Sequence, residues 1–289
     1  TESIASSRRD RVGRFTRRAP WLCNLEALSS FLAAQENGFY TTIGTRPGAA
    51  DGALPADAAI DAQVETAEVG EFAFIESSMG GSNSTITSAA FATFTYSGST
   101  RDDGPCHITL RTSGTVSRVS AGAITISYGT SGTYTLNPSS QDLYADQFPG
   151  FRFAANDTIS ISAAGATVPA FSKSIVFPAA VSVTSPTSLA TLSKSGFSAT
   201  WTNTSSMVHI VINQYPDSIH STSIDCTFAG DSGGGAVPAT ALSDLLVASS
   251  GSTSVLIASS TTATGTAGTY PLTLQATDFG FSAYVIVQQ

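Results

Sequence analysis

The sequence predicts an all-β chain of two tandem β-sandwich domains, residues 70–179 and 180–289, behind an N-terminal segment, 1–69, of different character. Three observations carry that expectation. From Gly70 onward, apolar and hydroxyl residues alternate with period two in short runs, which is the spacing of half-buried strands. Gly, Ser, Asn and Pro separate the runs and supply the backbone angles of tight turns. Charged residues make up only 12% of the chain, about half the usual share. Thr and Ser fill the polar positions instead, and β-branched Thr suits a pleated surface.

The elements follow in order. Asn24 can cap a short helix over 25–35, with Leu25, Leu28, Phe31 and Leu32 at helical spacing and Gly38 as its stop. The Ala- and acid-rich stretch 51–70 reads as a linker. Strands of the first domain are expected at 70–77, 85–97, 106–112, 123–129, 132–138, 157–163 and 171–178. Those of the second are expected at 180–186, 197–203, 207–214, 223–228, 253–259, 270–277 and 281–288. Seven short strands apiece, with turns between them, is the pattern of a sandwich. The segment 237–248 breaks the period: Pro238 stands near its start and apolar residues follow at helical spacing, so one short helix is expected there. Trp201, on a strand of the second domain, is expected in the core.

Charge divides the chain. Arg8, Arg9, Arg11, Arg14, Arg17 and Arg18 outweigh Glu2 and Asp10, giving residues 1–18 a charge of +4 and leaving −12 on the rest of a chain whose net charge is −8. A basic arm on an acidic body can dock onto that body, a second copy or an anionic surface, so these six arginines are the candidate interaction residues. The acidic body itself is a poor partner for nucleic acid. No apolar run is long enough to span a membrane as a helix. The Arg-rich start has the charge of a signal n-region, yet no apolar h-region follows it. Cys23 likewise sits in a poor context for lipid attachment.

Cys23, Cys106 and Cys226 have no metal-ligand spacing. One bridge with a free thiol, or no bridge, both fit. If one forms, Cys106–Cys226 is favoured, because both stand in strand-like text. No metal or cofactor fingerprint is found: the acidic stretch 51–68 and Asp102–Asp103 lack the Asp-x-Asp-x-Asp-Gly loop of a calcium site. Asn83, Asn156 and Asn203 fit the N-glycosylation pattern but read equally as turn residues. No two carboxylates stand out as a glycosidase acid and nucleophile.

The sharpest catalytic motif is Gly230-Asp-Ser-Gly-Gly-Gly235, which is similar to the nucleophile motif of chymotrypsin-like proteases and would make Ser232 the attacking group. That chemistry needs an upstream His. His107, His209 and His220 all lack the expected context, Phe91 stands where a His would be wanted, and a Pro-started helix follows the motif. A turn, with glycines supplying unusual backbone angles, accounts for the same residues. The expectation is therefore no enzyme, with Ser232 the residue to test if it is one.

The segment 223–246, a strand with a Cys, a Gly/Ser turn and a Val-Pro-Ala helix start, resembles an element of uncharacterised secreted proteins and lipoproteins of myxobacteria and related bacteria. EFAFIESS (71–78), the text 156–186 and FSATWTN (197–203) resemble the same group, so the likeness runs from Gly70 to the C-terminus. It implies export and tandem Ig-like sandwiches and carries no assigned activity. The Arg-rich arm and helix depart from that group. The function expected is a non-enzymatic extracellular or cell-surface structural or adhesive protein. Its partner is a second copy, in an oligomer, filament or surface layer, or another surface component. The arm and the apolar final strand at 281–287 are the parts suited to assembly. The competing expectation is a secreted enzyme, serine hydrolase-like or carbohydrate-active.

Overall fold

The computed structural model describes residues 63–79, 82–202, 204–216, 220–247 and 253–289. The arm with its six arginines, the helix at 25–35, Cys23 and residues 51–62 of the acidic stretch lie outside them. The chain is all-β. Its strands are β1 (Gln63–Met79), β2 (Ser82–Asp103), β3 (Cys106–Arg118), β4 (Ile124–Tyr128), β5 (Gly132–Leu136), β6 (Leu143–Pro149), β7 (Thr158–Ala163) and β8 (Phe171–Val176). They continue with β9 (Val183–Ser185), β10 (Thr191–Ser193), β11 (Phe197–Trp201), β12 (Met207–Gln214), β13 (His220–Phe228), β14 (Gly234–Val237), β15 (Thr253–Ala267) and β16 (Tyr270–Gln288). The helix expected at 237–248 is one turn, α1 (Ala239–Leu242), entered from Pro238.

Long strands close a ring. β1 and β2 form a hairpin that pairs Gln63 with Gly98 at one end and Met79 with Ser82 at the other. The far edge of β2 carries β3, and antiparallel pairings continue through β13, β12 and β15 to β16. β16 then returns to β1, in parallel, from Gly70 opposite Leu272 to Ser77 opposite Phe279. The order β1-β16-β15-β12-β13-β3-β2 therefore closes on itself, which leaves one face of each strand outward and one toward the axis. β1 begins inside the stretch expected as linker: Gln63 to Val69 pair residue by residue with Gly98 to Ala92.

Two outward faces are each covered by a second layer. Phe72, Phe74, Phe91, Leu272 and Leu274 of the ring pack against Ile124, Ile126, Ile159, Ile161 and Phe171 of the sheet β5-β4-β7-β8. On another part of the ring, Ile108, Val208, Ile210, Ile212, Ile224 and Val255 pack against Ala199, Trp201, Val237 and Leu242, from the sheet β14-β11-β9 and α1. Trp201 is buried as expected, and its indole N–H donates to the Gly230 carbonyl at 3.0 Å. The chain crosses between the cores from Phe177, in the first, to Val181, in the second. β15 and β16 serve both: Leu272, Leu274 and Ala276 lie in the first, and Val255, Ile257, Val285 and Val287 in the second. The register shifts between Ile257 and Ala258, opposite Gly280. A Cβ at Gly280 would run into the Val181 carbonyl, so only glycine fits under the crossing linker.

Cys106 of β3 and Cys226 of β13 are direct cross-strand partners and form a disulfide across 120 residues of chain. Both side chains are buried in the second core.

Candidate functional site

Alternation assigns each ring strand two faces. On β3, Cys106 and Ile108 belong to the core, so His107, Thr109 and Arg111 face the other way. On β12, Val208, Ile210 and Ile212 belong to the core, which leaves His209, Val211 and Asn213. On β13 the residues opposite Ile224 and Cys226 are Ser221, Ser223, Asp225 and Thr227. In a closed ring this second face is the inside. These polar residues line a cavity of about 840 Å³, joined by Thr100 and Asp102 of β2 and Ser260 and Thr262 of β15.

Exposure gives the cavity a direction. Gly104, Pro105, Asn156, Met207 and Thr262 are exposed and mark its mouth. His209, Asp225, Thr109 and Ser221 are buried within it. A cavity of this size falls within the range of small-molecule sites, about 300–1,000 Å³.

Across β2, β3, β13 and β12 the inner face carries an alternation of acid and imidazole. Asp102 is the register partner of His107, and His107 is the register partner of Asp225. His107 Nδ1 lies 2.7 Å from Asp102 Oδ1, in the exposed mouth. Deeper in, His209 Nδ1 lies 2.9 Å from Asp225 Oδ1 and 3.3 Å from Thr227 Oγ1. Nδ1 of His209 is placed to donate to the Asp225 carboxylate. Ser223 Oγ donates to Asn213 Oδ1 at 2.8 Å, which holds the amide in place.

Glu71, on the inner face of β1, is buried. Burial pushes its carboxyl up to about 8, against the pull of Arg111, so it holds its proton at neutral pH. Tyr215, at the cavity wall, is pushed up to about 12 by burial and by the neighbouring Tyr284, with Arg111 again opposing. The guanidinium of Arg111 thus acts electrostatically on both groups.

No protein-family model matches this chain, and none of the curated proteins matches it.

Ser232 lies in a 3₁₀ turn, Gly230–Ser232, and its hydroxyl is within donating distance of two carbonyl oxygens, Ala229 at 2.7 Å and Gly234 at 2.8 Å. The glycines around it are placed by geometry. Gly233 takes φ +70°, a Cβ at Gly230 would collide with the Ser206 and Thr204 carbonyls, and a Cβ at Gly235 would enter the Phe228 ring. The last two glycines of the motif and Ala236 continue as β14, beyond the turn expected there. Among the described residues no three His, Cys, Asp or Glu side chains converge as a metal set, and no helix is long and apolar enough to cross a membrane. Asp102 and Asp103 stand at the end of β2, with Asp102 on His107 and Asp103 beside Arg101 at 3.7 Å. Asn156, one of the sequon asparagines, lies at the cavity mouth with φ +70°.

As a pair, His209 and Asp225 leave almost no mark in the sequence. Their signal was present only as a polar residue in an otherwise apolar run, Met-Val-His-Ile-Val-Ile, and as an acid in the strand text Ser-Ile-Asp-Cys. Both are polar positions facing inward, which alternation alone does not distinguish from outward.

Proposed function

We propose that the chain is a non-enzymatic extracellular or cell-surface protein that binds a small, neutral, hydroxyl-rich molecule, of the sugar or polyol class, inside its ring. The observation that carries this reading is the cavity of about 840 Å³ lined from five adjacent strands mainly by Thr, Ser, Asn, His and Asp side chains, with Arg111 among them. Hydroxyls and amides both donate and accept, as the hydroxyl groups of a polyol do, and a carboxylate held by an imidazole adds a strong acceptor. The same strands put their apolar residues into the cores, so stability and recognition occupy opposite faces. The Cys106–Cys226 bridge supports the oxidising setting expected outside the cell. The two-layer packing around each core supports the tandem-sandwich reading, with Ig-like units as its finer form.

Saturation-transfer NMR against a panel of monosaccharides, disaccharides and polyols tests the binding reading. Transfer to at least one class is expected for the wild type, and Ser223→Trp, which puts a bulky ring into the middle of the lining, is expected to abolish it. No transfer to any compound, or transfer that survives this substitution, contradicts the reading.

The structural and adhesive role rests on charge. Residues 1–18 carry +4 and the remainder −12, which supports docking of the basic arm on the acidic body of a second copy. Deleting residues 1–22 is expected to lower the mass measured by light scattering at about 0.05 M salt, where exposed charges are weakly screened. An unchanged mass would sink the arm-exchange idea.

A further inference from the structure

Outside the cavity, one row of polar residues sits where the two cores meet. Glu76 of β1 is the register partner of Asp278 of β16, and Asp278 is the register partner of Ser259 of β15. All three share the outward face: Glu76 alternates with Phe72 and Phe74, Asp278 with Leu274 and Ala276, and Ser259 with Val255 and Ile257. Neighbouring strands lie about 4.8 Å apart, so the three side chains stand abreast.

Their hydrogen bonding is one-sided. Glu76 Oε1 accepts from Thr85 Oγ1 at 2.8 Å, from the Arg152 N–H at 2.9 Å and from the Phe153 N–H at 3.0 Å, which fixes the carboxylate. Its other oxygen, Oε2, is buried and has no partner, and neither has the buried hydroxyl of Ser259. Glu76 is 1% exposed and Ser259 0%. Burial raises the Glu76 carboxyl, and the charge of Asp278 raises it further. Arg152 reaches Glu76 only through its backbone N–H, no Lys or Arg side-chain charge acts on either carboxylate, and the ion pairs among the described residues lie elsewhere. Two adjacent carboxylates and an orphaned hydroxyl, all oxygens and without a basic neighbour, form the donor set that a hard cation takes. Asp278 is only half-buried, which gives an ion a way in.

We propose that Glu76 Oε2, the Asp278 carboxylate and Ser259 Oγ hold a calcium-class divalent cation, with water completing its shell. The ion would sit at the junction of the two cores, on the strands β15 and β16 that serve both, and would tie the halves together. Three protein side chains leave much of a six- to eight-oxygen shell to water, so the affinity belongs with extracellular calcium modules, about 10⁻⁴–10⁻³ M.

The test uses the full chain stripped with EDTA, titrated with CaCl₂ and, separately, MgCl₂ at pH 7.5, and followed by calorimetry and thermal unfolding. Calcium is expected to raise the melting temperature and to bind with a stoichiometry of one at this affinity. Magnesium, which resists losing its water, is expected to bind at least about tenfold more weakly. Asp278→Asn is expected to weaken calcium binding at least about tenfold, and Ser259→Ala by less. No calcium-dependent shift in the wild type overturns the proposal. So does a shift that persists undiminished in both Asp278→Asn and Glu76→Gln, because calcium would then be bound elsewhere on this acidic chain. A third contrary result is Asp278→Asn raising the melting temperature while calcium leaves the wild type unchanged, which would mean that the two carboxyls share a proton instead.

Discussion

Replacing Glu71 with glutamine is expected to stabilise the protein at pH 8 and to remove much of its pH dependence. The carboxyl is raised from its ordinary value of 4.5 to about 8, with burial as the main cause and Arg111 opposing. A group whose folded pKa is raised binds its proton more tightly in the folded state. Its favourable contribution is therefore full below about 4.5, declines as pH rises toward about 8, and is gone above that. A difference of this size corresponds to at most ~5 kcal/mol, because each pKa unit is worth about 1.4 kcal/mol. Glutamine keeps the shape and never ionises. Urea unfolding at pH 5, 7 and 8.5 should show wild-type stability falling across the series by roughly 2–4 kcal/mol. The Glu71→Gln profile should fall less steeply, keeping only the share of the other buried carboxyls, Glu76 and Asp278, and lie above the wild type at pH 8.5. A wild-type profile as flat as that of the variant would mean that the carboxyl has water or a cationic partner.

Removing the disulfide should have an effect of similar size. Cys106 and Cys226 close a loop of 120 residues, and such a loop constrains the unfolded chain by roughly 4–5 kcal/mol in the chain-entropy account. The bond also joins β3 to β13, two neighbouring strands of the ring. The double substitution Cys106→Ala and Cys226→Ala is expected to cost about 2–5 kcal/mol by urea unfolding. Adding a reductant to the wild type should lower its midpoint toward that of the variant and should leave the variant unmoved. A double variant as stable as the wild type would contradict this.

Much of the strand text could be read directly. The runs expected at 123–129 and 157–163 alternate cleanly, and the structure places β4 and β7 within them. What alternation could not supply is which strands share an edge. The two runs expected at 270–277 and 281–288 are one strand, β16, because a bulge at Gly280 carries the chain past the linker rather than turning it back. β6 escaped because Asp146 and Gln147 interrupt its apolar text, yet its Tyr144 is wholly buried and holds Ala121 and Gly122 through its hydroxyl. β14 escaped because Gly-Gly reads as a turn, whereas here glycine is needed to clear Phe228.

The site was hidden for a related reason. A period of two says that a strand has a polar face, and for an isolated sandwich that face meets solvent. Closing the ring turns it inward, so that His209, Asp225 and Ser223 become cavity lining. Ring closure depends on β1 meeting β16, about 200 residues apart in sequence, and that pairing leaves no local mark.

Two neighbouring residues of β13 test whether this polar face encloses an accessible cavity. Ser223 lies on the inner face and Ile224, the next residue, in the second core. In a Cys23→Ser background, Ser223→Cys is expected to react readily with a small methanethiosulfonate in the folded protein. Ile224→Cys is expected to react only after denaturant is added. Equal protection of both thiols, or equal reactivity, would contradict the account.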